Sequence, residues 1–343
     1  MKKIKIALIG NVHDHALANF GVLKSHPEVF DVVGVCNLVP GKDESSYANE
    51  KTFTMQQLLD MDELDAVLIE SGKENEVYDA RKFAAAGKAL FIDKPGSSNC
   101  DEYDKLLDIV QNKQLPFALG YVYRFNPMVQ KALEMQKNGE LGTVYSVEAQ
   151  MSVRHDMQKR RWLMRYKGGM TFFLGCHLID VACTFLGFPN KVLPLGFSSG
   201  HDGLTSCDVG GALLMYDHAQ AYLRTSAIEV NGYGRRQIVI NGTAGTVEIQ
   251  PVEYHIKNVK CEDNVLAVAK ITLQKDNPPQ WDEGGKTQES QPFARYTPML
   301  MQFAAQIRGE EGYVRPLEYE RKLMRTIVAA CGADNEVFIP ENV

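Results

Sequence analysis

Short apolar runs, each cut off by glycine or a polar turn, alternate with amphipathic stretches along the first third of the chain. Residues 4–9 read as a strand and Gly10 as a turn. Ala16, Leu17, Phe20, Val22 and Leu23 then give the apolar stripe of a helix ending near His26-Pro27. Residues 32–36 form a second strand. A helix over 55–61, capped by Thr54, leads to a strand over 65–69, and a helix over 74–86 is closed by Gly87. The apolar run from Ala89 ends abruptly in Asp93-Lys94-Pro95-Gly96 and reads as a buried parallel strand, with Lys94 at its carboxyl end. A helix over 101–113 and a strand over 116–120 follow. Strands and helices alternating at this spacing predict an α/β architecture: a Rossmann-type, doubly wound parallel sheet over residues 1–121.

Beyond 121 the pattern changes. An amphipathic helix runs to Asn138-Gly139, a strand covers 143–152, and a helix covers 170–186. Strand-like runs at 191–197, 210–216, 219–228, 237–241 and 246–250 then succeed one another without helices between them, with Asn241-Gly242 as a turn. Such consecutive strands predict an α+β domain over 122–343 with a large, mainly antiparallel sheet. Two helices, over 294–307 and 317–330, complete it, and these last helices are expected to pack back on the N-terminal domain.

Composition narrows the function without naming it. The 343 residues are 45% hydrophobic and 23% charged, enough for about two domains with separate cores. A net charge of -6 argues against a general nucleic-acid or anionic-membrane binder. The seven cysteines are scattered, odd in number and without a C-x-x-C pair, the usage of a reducing cytoplasm. The basic opening Met1-Lys2-Lys3 has too short an apolar core behind it for an export signal and reads as strand one, and no run reaches the ~18 apolar residues of a spanning helix.

Candidate chemistry gathers at the strand ends, where open α/β sheets bind ligands. A lysine at position 94 can hold a substrate hydroxyl and exchange a proton with it, or it can be a turn residue on the surface. The turn Gly10-Asn11-Val12-His13-Asp14-His15 keeps only the first glycine of a dinucleotide-binding G-x-G-x-x-G, so Val12 brings a side chain to where backbone would approach a pyrophosphate. His13 and His15 either contact phosphate or fill the space of the missing glycines. Asn37 replaces the acid that usually binds ribose, and Lys42 is the nearest cation for a 2′-phosphate. Gly10, Asn11, Val12, His13, Asn37, Ser71, Asp93 and Pro95 are therefore the expected cofactor contacts. Residues 154–167 carry six cationic side chains, Arg161 among them, and read either as a clamp for an anionic substrate group or as a solvated or subunit-contacting loop. His155, Asp156, His177 and Asp180 match no compact ligand spacing, and no metal site is expected.

Taken together, Asp65-Ala66-Val67-Leu68-Ile69, Gly87-Lys88, Asp93-Lys94-Pro95, Gly120-Tyr121 and Arg124-Phe125-Asn126-Pro127 resemble the glucose-fructose oxidoreductase / myo-inositol dehydrogenase (Gfo/Idh/MocA) family. Gly168-Gly169, Gly175-x-His177-x-x-Asp180 and Gly242-Thr243-x-Gly245-Thr246 extend the match, with Asp93 standing where the family has Glu. The resemblance implies an NAD- or NADP-dependent dehydrogenase moving hydride to or from a secondary alcohol of a sugar, cyclitol or derivative. It assigns Lys94 and His177 to the reacting hydroxyl and Tyr123, Arg124 and Asn126 to the substrate pocket, where Arg161 of the basic segment and Asp180 are further expected contacts. It also makes residues 122–343 the substrate-binding and oligomerisation domain of a cytoplasmic homodimer or homotetramer. Phe173 stands where the family commonly has an aspartate one turn before the histidine, and Asp180 is the residue that could hold the ring instead. Because Val12, Asn37 and Phe173 each replace a usual component, two other readings stay open: a catalytically impaired protein that senses sugar or dinucleotide, and an elimination or hydrolysis that uses nicotinamide as a transient hydride store.

Overall fold

The computed structural model describes residues 2–261, 264–275, 285–310, 312 and 314–340, with the side chains of 255–265 outside that description. The described chain forms two compact units. The first comprises Met1–Val122 with Val259–Val265 and Ala294–Arg321, and the second comprises Tyr123–Asn258 with Leu266–Phe293 and Lys322–Val343.

In the first unit β1 (Ile4–Ile9), α1 (Ala16–Ser25), β2 (Phe30–Cys36), α2 (Glu44–Tyr47), α3 (Met55–Leu59), β3 (Ala66–Ile69), α4 (Glu76–Ala85), β4 (Ala89–Ile92), α5 (Cys100–Lys113) and β5 (Phe117–Leu119) follow one another. Their strands make one sheet in the order β2-β1-β3-β4-β5. All its pairs are parallel. The chain winds outward from β1 to β2 and then crosses to β3, so the topological switch lies between β1 and β3. Every residue of β3 and β4 is buried, which explains their unbroken apolar spelling. Each buried Leu or Ile there contributes about 1.5–3 kcal/mol of transfer free energy. Polar caps set the helix starts, with Thr54 and Gln57 forming a capping box on α3 and Asn99 accepting from the Glu102 amide on α5.

The second unit opens with α6 (Pro127–Lys137), β6 (Val144–Ser152), α7 (Met157–Leu163) and α8 (Cys176–Leu186). The strands β7 (Lys191–Pro194), β8 (Val209–Met215), β9 (Gln220–Ser226), β10 (Gln237–Gly242) and β11 (Gly245–Ile249) follow. After β12 (Tyr254–Cys261) and β13 (Asn264–Val268) come β14 (Lys270–Lys275), β15 (Lys286–Glu289), β16 (Phe293–Ala294), α9 (Thr297–Ile307) and α10 (Leu317–Ala330). Eight of these strands form one sheet, ordered β15-β14-β11-β10-β6-β9-β8-β7. It is antiparallel except where β6 runs parallel to β9, so the mainly antiparallel expectation becomes a mixed sheet with one parallel seam.

Three local departures from the sequence reading have physical causes. The helix expected over 170–186 is two pieces: a π-helical turn at Thr171–Gly175 and then α8. The basic segment contains α7, whose start Asp156 caps by accepting the Lys159 amide; seven residues are too few to show a helical stripe. The strand expected over 191–197 stops at Pro194, because proline cannot donate to the ladder, and resumes only as an isolated Phe197–Val209 bridge. The strands β12 to β15 had no counterpart in the reading. Helix α9 belongs to the first unit.

Candidate functional site

At the carboxyl ends of β1, β2 and β3 the first unit holds a cavity of ≈ 320 Å³, lined by Gly10, Val12, Asn37, Ser71, Gly72, Asn75, Tyr78, Asp79 and Lys82. It lies at the switch point, where sheets of this topology bind nucleotides. Gly10 has φ +76, and a Cβ there would stand 2.9 Å from the Ser71 backbone, so only glycine closes this turn. Asn37 also adopts a left-handed conformation, φ 54, which turns the chain at the end of β2. Ser71 donates to Asp79 Oδ2 at 2.9 Å, presenting a hydroxyl–carboxylate pair on the cavity wall.

Other expected cofactor contacts are engaged elsewhere. The Asn11 amide donates to Lys42 O at 2.9 Å and accepts the Val39 amide at 2.7 Å, pinning the loop after β2 rather than facing a ligand. Lys42 Nζ donates to Val12 O at 2.7 Å, which ties the loop after β2 to the turn after β1. The amides of Val12 and His13 both donate to Glu70 O, at 2.9 and 3.3 Å. These two amides therefore tie the turn to the residue that follows β3.

Beside the cavity, Asp93 is the hub of a buried polar cluster. His13 Nδ1 lies 2.9 Å from Asp93 Oδ2 and His15 Nδ1 lies 3.0 Å from Oδ1. Lys73 Nζ donates to Glu76 at 2.7 and 2.9 Å and to the Asp93 carbonyl at 3.2 Å. Asn19 donates to Glu70 Oε1 at 2.6 Å. Burial holds both imidazoles below their ordinary range, His13 the more strongly, against the pull of Asp93. Burial would raise Asp93, but His13, His15 and Lys73 overcome it and hold the carboxyl well below the usual range. Burial raises Glu70 well above the ordinary carboxylate value, with the charge on Asp93 adding to the effect. Lys94, next in sequence, and Pro95, joined to it by a cis bond, are buried as well. Sequence reasoning found His13, His15, Asp93 and Lys94 but missed Glu70, Lys73 and Glu76. Three charges packed just after a buried strand were the available signal, of which only Glu76 falls within the helix expected over 74–86.

In the second unit, His177 sits near the start of α8, fully buried, with its ring edge-on to Tyr123 at 5.1 Å. The Tyr123 hydroxyl donates to Glu253 Oε1, while Arg236 Nη1 donates to that hydroxyl at 2.9 Å and to Glu253 Oε1 at 2.7 Å. Arg236 and Glu253 are thus further members of this network; they lie far from Tyr123 in sequence, so nothing local pointed to them. Arg124 and Asp180 form a buried two-pronged ion pair, with Nε to Oδ2 at 2.9 Å and Nη2 to Oδ1 at 2.8 Å. This corrects one expectation: Arg124 and Asp180 are joined to each other as a brace instead of standing as two separate substrate ligands. Asn126 caps α6 and donates to Val252 O at 2.8 Å, a structural role in place of the expected pocket contact. The π turn changes the spacing before His177, and Phe173 packs edge-on to Trp162 at 5.3 Å and His155 at 6.1 Å, with Lys159 Nζ 4.4 Å from its ring centre. In the basic segment Arg160 is buried and paired with Asp202, and Arg161 is exposed.

Comparison with known proteins completes the picture. Residues 4–121 match a family model described as an oxidoreductase family with an NAD-binding Rossmann fold, and residues 129–248 match the GFO/IDH/MocA C-terminal domain. D-xylose 1-dehydrogenase (NADP(+)) 2 of Haloferax volcanii is 30% identical over 139 residues, 40% of this chain and 42% of that relative. An uncharacterized oxidoreductase of Schizosaccharomyces pombe is 28% identical over 200 residues, 56% of this chain and 54% of that protein. The chain thus spans about half the length of the curated relatives it matches. Among solved structures, the aldose-aldose oxidoreductase of Caulobacter crescentus superposes with a TM-score of 0.75 at 18% identity, covering 97% of this chain and 98% of that one.

Proposed function

Because this chain belongs to the Gfo/Idh/MocA family of oxidoreductases, with an NAD-binding Rossmann domain, we propose that it is an NAD(P)-dependent dehydrogenase acting on a secondary alcohol of a sugar, cyclitol or derivative. The observation that carries the reading is the cavity at the β1/β3 switch point, lined by Gly10, Asn37, Ser71 and Asp79. Asn37, Ser71 and Asp79 offer an amide, a hydroxyl and a carboxylate to ribose hydroxyls, and Tyr78 offers a ring face to a base. When bound, the nicotinamide supplies the hydride acceptor or donor. Lys94 Nζ donates hydrogen bonds to the reacting oxygen and lowers the cost of negative charge on it. The His177 imidazole takes the hydroxyl proton on oxidation and returns it on reduction, and Tyr123 with Arg236 and Glu253 holds that ring in place. Relatives named for xylose, aldose and UDP-N-acetylglucosamine chemistry support a sugar-type substrate.

The test is a panel of sugars and cyclitols, offered with NAD and with NADP, read by nicotinamide absorbance. Turnover on at least one panel member supports the reading, and Lys94→Ala then keeps dinucleotide affinity while losing about 10²–10⁴-fold in turnover. Tight dinucleotide binding with no turnover across the panel overturns it in favour of a sensor.

A further inference from the structure

The proposed hydride and proton transfers give the His13–Asp93–His15 cluster no chemical step. Asp93 presents each of its oxygens to an imidazole nitrogen, at 2.9 and 3.0 Å, and the three donor groups offer ligand atoms all within 4.8 Å of one another. Two imidazoles and one carboxylate are the donor set of borderline divalent ions. Tetrahedral ligands on an ion with bonds of about 2.0–2.1 Å stand roughly 3.3 Å apart, so the nitrogen–oxygen pairs at 2.9 and 3.0 Å reach that spacing by moving apart a few tenths of an ångström.

His13 Nδ1 is where the turn and the end of β4 converge, with the His15 amide 3.2 Å and an Asp93 oxygen 2.9 Å from it. An ion bound by this nitrogen takes the place of those hydrogen bonds. Supporting residues hold the carboxylates in place, as metal-site neighbours do: Lys73 Nζ lies 3.5 Å from Asp93 Oδ2, Asn19 donates to Glu70, and Glu70 Oε2 lies 3.8 Å from His13 Nδ1. The cations near enough to act on these imidazoles are Lys73, Lys94 and Arg295, against the acids Glu70, Glu76 and Asp93.

We propose that His13, His15 and Asp93 form a binding site for one divalent transition ion of the zinc class. The ion fastens the turn after β1 to the end of β4, beside Lys94. It is independent of hydride chemistry, and its test reads metal rather than turnover. Untagged full-length protein is stripped with chelator and titrated with Co²⁺ as the probe, followed by visible absorption and by metal content after dialysis. One Co²⁺ per chain with a ligand-field band is the expected result. His15→Ala, chosen because this side chain is only partly buried, loses at least about 100-fold in affinity with unchanged circular dichroism, more than the roughly 10–100-fold cost of losing a supporting residue. His201→Ala, an exposed histidine elsewhere, changes nothing. Absence of a stoichiometric Co²⁺ band, or equal affinity in the His15→Ala protein, overturns the site and leaves Asp93 accepting ordinary hydrogen bonds from two neutral imidazoles.

Discussion

Arg124 and Asp180 grip each other through two parallel hydrogen bonds, 2.9 and 2.8 Å long, with both side chains almost completely buried. Arg124 precedes α6 and Asp180 lies on α8, so the pair cross-links two helical segments of the second unit. Removing one partner strands a charge in a low-dielectric interior. Arg124→Met is expected to cost about 3–5 kcal/mol, and the double substitution Arg124→Met with Asp180→Leu to recover most of that loss. Urea unfolding of the two variants and the parent protein measures both quantities. A double variant no more stable than the single one would show that the pair does more than neutralise itself.

Glu76 gives a pH dependence with a defined sign. Burial is the main cause that pushes its carboxyl up to about 8; the Lys73 ammonium opposes this and the Asp93 charge reinforces it. A folded-state value above the ordinary 4.5 means that the folded protein binds the proton more tightly than the unfolded chain does. The stability Glu76 contributes is therefore complete below about 4.5 and is lost as the pH rises through about 8. Glu76→Gln, which keeps the shape without the charge, should gain stability relative to the parent as the pH is raised across that window. Thermal unfolding of the two chelator-treated proteins at several pH values checks it, and a difference that stays flat or narrows contradicts it.

Gly10 and Gly41 share a φ of +76 but differ in what surrounds them. A Cβ on Gly10 meets the Ser71 backbone at 2.9 Å, whereas one on Gly41 meets nothing within 4 Å. Both alanine variants incur the left-handed penalty of about 1–2 kcal/mol. Only Gly10→Ala displaces Ser71, so it alone should weaken dinucleotide binding, by more than about tenfold. Comparing the two variants in a binding titration separates backbone strain from damage to the cavity.

The first unit was legible in the sequence because its strands are buried on both faces and spelled as unbroken apolar runs such as Ala89–Ile92, while its turns are marked by Gly10 and Gly87. The second unit was less so. Its late strands alternate only weakly, as in β15, where Lys-Thr-Gln-Glu is exposed throughout, and a period-two signal needs one buried face. At the sites, motif spacing located Lys94, Asp93 and His177, because each lies at an element end. Partner choice was not legible. Asp180 three residues from His177 suggested a bond within the helix, and nothing in the sequence pointed to its ion pair with Arg124. The π turn before His177, which changes which positions of 171–175 share its face, has no signature in the residue types. The same limit hid Glu253 and Arg236, which reach Tyr123 only through the folded sheet.

The central claim is that a nicotinamide dinucleotide occupies the cavity at the ends of β1, β2 and β3. Asn75 lines that cavity, is exposed, and makes no side-chain cap bond to α4, so Asn75→Trp fills the space with little cost to the fold. Calorimetric titration of NAD and NADP into the parent and the variant tests the claim directly. Saturable binding of at least one dinucleotide to the parent, weakened more than about tenfold in Asn75→Trp, is the predicted result. No binding to the parent, or equal affinity in the two proteins, would contradict it.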